Sequence, residues 1–225
     1  SVLKGKGGNG KQNTLLRKGL TVLQFAISIM LISSSVIMYR QLNFMLEKDL
    51  GFNKENLLVI RRAQDIGNQV NSFKSELLGV PGVISVSAST AVPGRSNNTN
   101  GYSIRGRDDE TFLLQTTWAD YDFLKTYNIK IAEGRFFDPD MLTDQQACVI
   151  NERTLRNFRI DDAMGTRFVA PGENMQVLPV IGVMQDYHFE SLRFDITPCI
   201  ILFKNENMNW GYISIRIERD KMQQV

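Results

Sequence analysis

Residues 19–39 read GLTVLQFAISIMLISSSVIMY, a run of 21 residues without a charge, bracketed by Lys18 and Arg40. No other stretch limits the fold so tightly. At 1.5 Å per residue, a helix of this length spans about 30 Å, the thickness of a bilayer's hydrocarbon core. A buried soluble helix seldom stays uncharged for so long. Gln24 and the serines are tolerable because polar side chains bond to neighbouring helices inside a bundle. The run exceeds the roughly 7–15-residue apolar core of a signal peptide, and no A-x-A-like cleavage site follows it. The reading is an uncleaved anchor.

The flanking charge sets an orientation. Lys4, Lys6, Lys11, Arg17 and Lys18 precede the run with no acid among them. Basic residues stay on the cytoplasmic side, which predicts a cytoplasmic basic linker at 1–18 and residues 40–225 outside the inner membrane. The rest of the chain carries 21 basic and 24 acidic side chains. That balance offers no basic face for nucleic acid. Leu42, Met45, Leu46 and Leu50 keep helical spacing, so the membrane helix is expected to continue as a stalk over 40–51, ended by Gly51. Arg40, Leu42, Leu46 and Leu50 are the candidate transmission residues.

Beyond the stalk the pattern is α+β. Residues 56–61 predict a buried strand, 67–78 a helix broken by Gly79-Val80-Pro81-Gly82, and 83–89 (VISVSAS) a strand with one buried face. Strand, helix and strand in so short a span predict a βαβ unit with a parallel pair. Pro93–Gly101 contains no apolar residue and reads as a loop, with Arg95, Asn97, Asn98 and Asn100 as candidate partner contacts. Strand-like runs follow at 102–106 and 111–118, then a short helix at 120–127 with Asp120 as its cap. A strand at 147–150 leads into a helix at 152–158 capped by Asn151. A hairpin at 166–170 and 176–184 turns at Pro171-Gly172, and strands at 200–203 and 212–217 complete the set.

Chemical motifs are sparse. Gly5-x-x-x-x-Gly10-Lys11 has the spacing of a phosphate-binding loop, but Gln12 stands where Ser or Thr must reach magnesium, and no strand precedes it. His188 is the one histidine. Asp186, His188 and Glu190 would share a side if extended, yet no second histidine or nucleophile elbow supports chemistry there. Cys148 and Cys199 lie in apolar runs and read as buried free thiols. Phe136-Phe137 and Tyr187/Phe189 read as core, and Arg135 as an ion-paired structural arginine. No catalytic, cofactor or metal constellation emerges.

Several stretches together resemble one family. LRKGL (16–20), VLQFAISIMLI (22–32) and LGFNKENLLVI (50–60) are similar to the membrane-side start of MacB/FtsX-type ABC transporter permeases, in the version of Bacteroidota-like bacteria. EGRFF (133–137), VINE (149–152), DDAMGTRF (161–168) and VIGVMQDYHFESLRFDITP (180–198) resemble later family motifs. Ala163 replaces the usual proline, and the basic residue of that turn shifts by one, to Arg167. The matching structural positions are Gly134, Arg135, Phe136, Asn151, Glu152, Gly165, Gly182, Asp186, His188, Ser191, Leu192 and Pro198.

The resemblance implies a periplasmic core of two subdomains. One is a Porter-like part of βαβ units at 52–92 and 206–225, truncated at its C-terminus. The other is a mostly-β Sabre-like insertion at 93–205. It further implies an internal fragment of a longer permease that is not itself an enzyme. Its partners would be a separate cytoplasmic ATPase, a second permease copy or homologue, and a periplasmic adaptor, lipoprotein or peptide. The implied mechanism is ATP-driven motion relayed to the periplasm. The alternative is a membrane-anchored sensor or binding ectodomain.

Overall fold

The computed structural model describes residues 9–95, 98–172, 175–204 and 211–221, with side chains from Asn13 onward. It divides into two units, residues 1–48 and 49–225.

The first unit is one helix, α1 (Asn9–Glu47). Within it, Asn13–Glu47 is long and apolar enough to cross a membrane, with mean hydropathy 2.0 in its most apolar window and none of that window buried. Leucines, isoleucines and phenylalanines stand exposed along its length, as expected of a surface meant for lipid or other helices. Two of its hydroxyls turn back onto the helix. Thr21 Oγ1 donates to Arg17 O and Ser35 Oγ to Leu31 O, both at 2.9 Å, so they bond within their own helix and need no neighbour. Residues 9–18 are helical rather than a flexible linker. Lys, Gln, Leu and Arg are good helix formers, and extending a nucleated helix costs little. Residues 1–8, which include the first four of the GKGGNGK stretch at 5–11, lie outside the described residues. The helix ends at Glu47 instead of running to Gly51.

In the second unit, β1 (Leu57–Arg61), β2 (Val83–Ser89) and β10 (Tyr212–Ile217) form one arm of a sheet. β1 and β2 do not pair. β10 lies between them, antiparallel to both, so the expected neighbouring pair is split by a distant strand. A chain reading cannot see this, because the intervening strand comes from the far end of the sequence. A 3-10 turn (Ala63–Gln69) and α2 (Val70–Leu78) cover one face. Val70, Phe73 and Leu77 pack there on Val86, Ala88, Ile213, Ile215 and Ile217.

The opposite face is buried too, contrary to the one-sided reading of 83–89. Ser85, Ser87 and Ser89 are at most 2% exposed. Their small side chains let α3 (Phe123–Tyr127) approach, and their hydroxyls are satisfied. Ser85 accepts from Thr126 Oγ1 at 3.1 Å, Ser87 donates to Asp120 at 2.7 Å, and Ser89 donates to Ala91 O at 2.7 Å. Asp120 does not cap α3 as expected. It is buried, accepts the Ala88 N–H at 2.7 Å and pairs with Lys74 of α2, tying α2 to this face. Burial works to lower the Lys74 pKa, but the Asp120 and Asp122 carboxylates outweigh it and raise it.

The remaining strands close on themselves. β3 (Asn98–Ile104), β4 (Arg107–Ala119), β6 (Cys148–Asn151), β7 (Arg167–Val169), β8 (Val177–Met184) and β9 (Cys199–Phe203) follow the order β4-β3-β7-β8-β6-β9. Parallel pairing of β9 with β4 completes the ring. Alternate residues from all six strands fill its interior, among them Tyr102, Leu114, Cys148, Ile150, Phe168, Leu178 and Ile200, as a small barrel requires. Cys148 and Cys199 are buried free thiols.

The segment read as a loop at 93–101 is a strand from Asn98 onward. Its polar side chains hid it, but its backbone is paired with Leu113–Thr116 of β4. Ser96 and Asn97 lie outside the described residues. β3 stops at Ile104, where Arg105-Gly106 turn the chain. A further strand, β5 (Ile131–Gly134), which runs into the EGRFF motif, pairs with β8. The hairpin of β7 and β8 agrees with its sequence. The polar stretch after Arg219 forms a short 3-10 turn to Lys221.

A third apolar cluster joins the arm to the ring. Phe123, Leu124 and Tyr127 meet Phe137, Val149, Met184, Tyr187, Phe189 and Ile201, with Phe52, Leu57 and Val59 packed against them.

Candidate functional site: the strap at Asp49–Asn56

The chain leaving α1 passes through an eight-residue strap, Asp49–Asn56, before β1 begins. Asp49 Oδ1 accepts the Gly51 N–H at 2.9 Å, and Asn53 Oδ1 accepts the Glu55 N–H at 2.8 Å. These local bonds fold the strap on itself. Gly51 has φ of +74°, and a Cβ there would lie 2.5 Å from Asp186 O. Only glycine fits a positive φ at so close an approach.

The core grips the strap along its length. Leu50 O accepts the His188 N–H at 2.8 Å, Asn53 N–H donates to Tyr127 O at 2.9 Å, and Asn56 O accepts the Ile217 N–H at 2.9 Å. The Phe52 ring sits edge-on to Tyr127 and Tyr187, at 6.2 and 6.5 Å between centroids.

Arg216 is the central fastener. It is 8% exposed. Its Nη1 donates to Glu55 O at 2.5 Å, Nη2 to Asn53 O at 2.7 Å and Thr126 O at 2.6 Å, and Nε to Thr126 O at 2.9 Å. One guanidinium thus joins strap, α3 and β10. All three partners are carbonyls, so burial lowers its pKa while the neighbouring Tyr127 opposes that shift. Alongside, Tyr127 Oη and Ser214 Oγ share a 2.5 Å hydrogen bond. Burial pushes the Tyr127 phenol far above its ordinary range.

The strap rests on a second network. Asp186, beside Gly51, accepts the Arg153 N–H at 2.8 Å and pairs with Arg156 of α4 (Glu152–Phe158). Glu152 accepts the Asp186 N–H at 3.3 Å. Asn151 caps α4 by accepting Thr154 N–H at 3.1 Å, accepts Cys199 N–H at 3.1 Å, and donates to Thr197 O at 3.1 Å. The start of α4, the end of β8 and the start of β9 therefore meet at one point. Further along, Gly134 and Gly182 face each other across β5 and β8. A Cβ on Gly182 would lie 2.0 Å from Arg135 O. Arg135 pairs two-pronged with Asp144, which is 1% exposed.

The anticipated residues thus fall into distinct places. Asn151, Glu152, Asp186 and His188 come together behind the strap; Pro198, whose carbonyl accepts Gln115 N–H of β4 at 3.0 Å, stands between Thr197 and Cys199, both bonded to Asn151. Gly134, Arg135, Phe136 and Gly182 form a separate clamp. Gly165 turns beneath Asp162. Ser191 is exposed and Leu192 half-buried in an irregular loop. Arg40, Leu42 and Leu46 stand exposed on α1, while Leu50 lies in the strap. Arg95 is exposed and Asn98 and Asn100 sit on β3, with Asn97 outside the described residues. Asp186, His188 and Glu190 are each half-buried and alternate with buried Tyr187 and Phe189, with Asp186 engaged by Arg153 and Arg156 of α4. Among the described residues no His, Cys, Asp or Glu group is disposed to hold a metal. Arg216, Tyr127 and Phe52 escaped sequence reasoning. The alternation in YISIRI was the available signal, for it puts Arg216 and Ser214 on the face opposite the isoleucines.

A β-rich mixed α/β core that follows one long apolar helix is the arrangement of a class shown here by the family match: periplasmic domains of ABC transporter permeases. The chain belongs to the MacB-like periplasmic core domain family, whose pattern matches residues 19–218. Its fold is similar to the periplasmic region of MacB from Actinobacillus actinomycetemcomitans, at a TM-score of 0.53 and 16% identity, covering 78% of this chain and 80% of that one. It is likewise similar to the extracellular domain of the noncanonic ABC-type transporter YknZ from Gram-positive bacteria. That match has a TM-score of 0.52 and 18% identity, over 75% of this chain and 88% of the other. No curated protein matches the sequence.

Proposed function

We propose that this chain is the part of an ABC transporter permease that carries ATP-driven motion from a membrane helix into a periplasmic domain. The observation that carries the reading is the strap. A flexible linker would dissipate a displacement of α1, whereas this segment is bonded to α3, β10 and the 186–188 turn at once. α1 is the membrane span, with its N-terminus cytoplasmic and residues 40–225 periplasmic. The arm of β1, β10 and β2 corresponds to the Porter-like part, and the ring to the Sabre-like insertion. ATP is hydrolysed by a separate cytoplasmic subunit, and a second permease copy or homologue completes the pair. The domain acts by changing shape between packed states.

The test is co-purification of the complete reading frame with the ATPase encoded beside it, followed by ATP hydrolysis in nanodiscs. A stable complex whose hydrolysis depends on the permease is expected. A complete protein that binds no ATPase would overturn the reading and favour an anchored sensor.

A further inference from the structure

One end of the ring is closed by α4 and the turn after it, where Leu155, Phe158 and Ile160 pack on the interior. The other end holds a cleft of about 360 Å³. There the ends of β4 and β9 meet the starts of β6 and β8. Mouths of β-barrels are recurrent ligand sites, and this volume lies within the usual range for a small ligand.

The lining is distinctive. Trp118, Phe203 and Leu178 supply apolar surface, and Gln145, Gln146 and Gln176 supply amides, with no charged side chain among the lining residues. A primary amide both donates and accepts hydrogen bonds, which suits a ligand dense in hydroxyls. Among the described lining residues an anion or cation would find no counter-charge. An extended peptide would need a free sheet edge for main-chain pairing. Each of β4, β6, β8 and β9 is instead paired on both sides. Trp118 is held in place by its backbone. Its N–H donates to Thr90 Oγ1 at 3.0 Å, and its carbonyl accepts Thr90 N–H at 2.9 Å. Gln145 bonds to Tyr121, leaving Gln146 and Gln176 exposed at the rim.

We propose that this mouth binds a neutral oligosaccharide, with Trp118 offering a ring face to the sugar and Gln146 and Gln176 bonding its hydroxyls. Behind it, Phe203 meets Tyr121 in a tilted contact at 4.5 Å between centroids and Phe137 edge-on at 5.8 Å. An occupied mouth therefore touches the cluster that joins ring and arm. The proposal stands apart from the transport reading and does not depend on it.

The test is calorimetric titration of the full chain in nanodiscs with chitotetraose, maltotetraose and cellotetraose, and with blocked tetra-alanine as a peptide. Saturable binding of at least one sugar is expected, weakened at least about tenfold in a Gln146→Leu/Gln176→Leu double variant. Both glutamines are exposed, so that variant keeps the fold, and Trp118→Ala should abolish binding. The idea is overturned by the absence of saturable sugar binding, by binding that the double variant leaves unchanged, or by preference for the peptide.

Discussion

Arg216 shows how much one side chain can decide. Its guanidinium satisfies three carbonyls from two separate segments, the strap and α3, and among the described residues no carboxylate is paired with it. Truncation leaves those oxygens buried without a donor, at roughly 1–3 kcal/mol each before relaxation. Arg216→Met should therefore lower unfolding stability by about 3–5 kcal/mol in urea titrations of the detergent-solubilised chain. Arg216→Lys should recover little, because an ammonium lacks the planar fork that reaches all three. Equal stability of the Lys variant and the parent would remove Arg216 from its central place. The residue was legible only in part. The alternation of YISIRI places it opposite three isoleucines, but its carbonyl partners lie some 90 and 160 positions away along the chain. No local pattern encodes those distances.

Among the elements, those with strong local signals came through the sequence clearly: Asn151 and its helix, the β7–β8 hairpin, and the long apolar helix. Those that depend on distant partners did not. β3 is polar through Asn98–Asn100 and is a strand only because β4 pairs with it. The serine face of β2 reads as solvent-facing until α3 covers it. β5 ran unnoticed into the EGRFF motif because its pairing with β8 comes from residues some 50 positions away, Gly182 among them.

The clamp beyond β5 has a pH signature. Burial pushes the Asp144 carboxyl upward, but hydrogen bonds from Arg135 and from the Asp138 N–H outweigh it and set the pKa below its ordinary 3.8. A depressed carboxylate pKa adds stability that is complete above the unfolded value and disappears as pH falls through the folded one. The stability gap between the parent and Asp144→Asn should be constant above about pH 4.5 and close in more acid solution. Arg135 is 39% exposed along its side chain, so the gap at neutral pH should be only about 1–3 kcal/mol. Urea midpoints measured from pH 7 to 2.5 would show it, and a gap independent of pH would contradict the assignment.

At the scale of the molecule, the core is built of an arm and a ring that share one apolar cluster, and on the proposed reading the strap hands a membrane helix's movement to it. Packed cores respond to such a push by switching between discrete arrangements. The measurement that tests this most directly is the distance between spin labels at Ile84 on the arm and Asp109 on the ring. It is taken in the complete permease with its ATPase, with and without a trapped ATP state. Both positions are exposed, and the two cysteines of this chain are buried. The account predicts a distance change on trapping that disappears when four glycines are inserted after Lys48. A distance that never changes, or a change that survives the insertion, would contradict it.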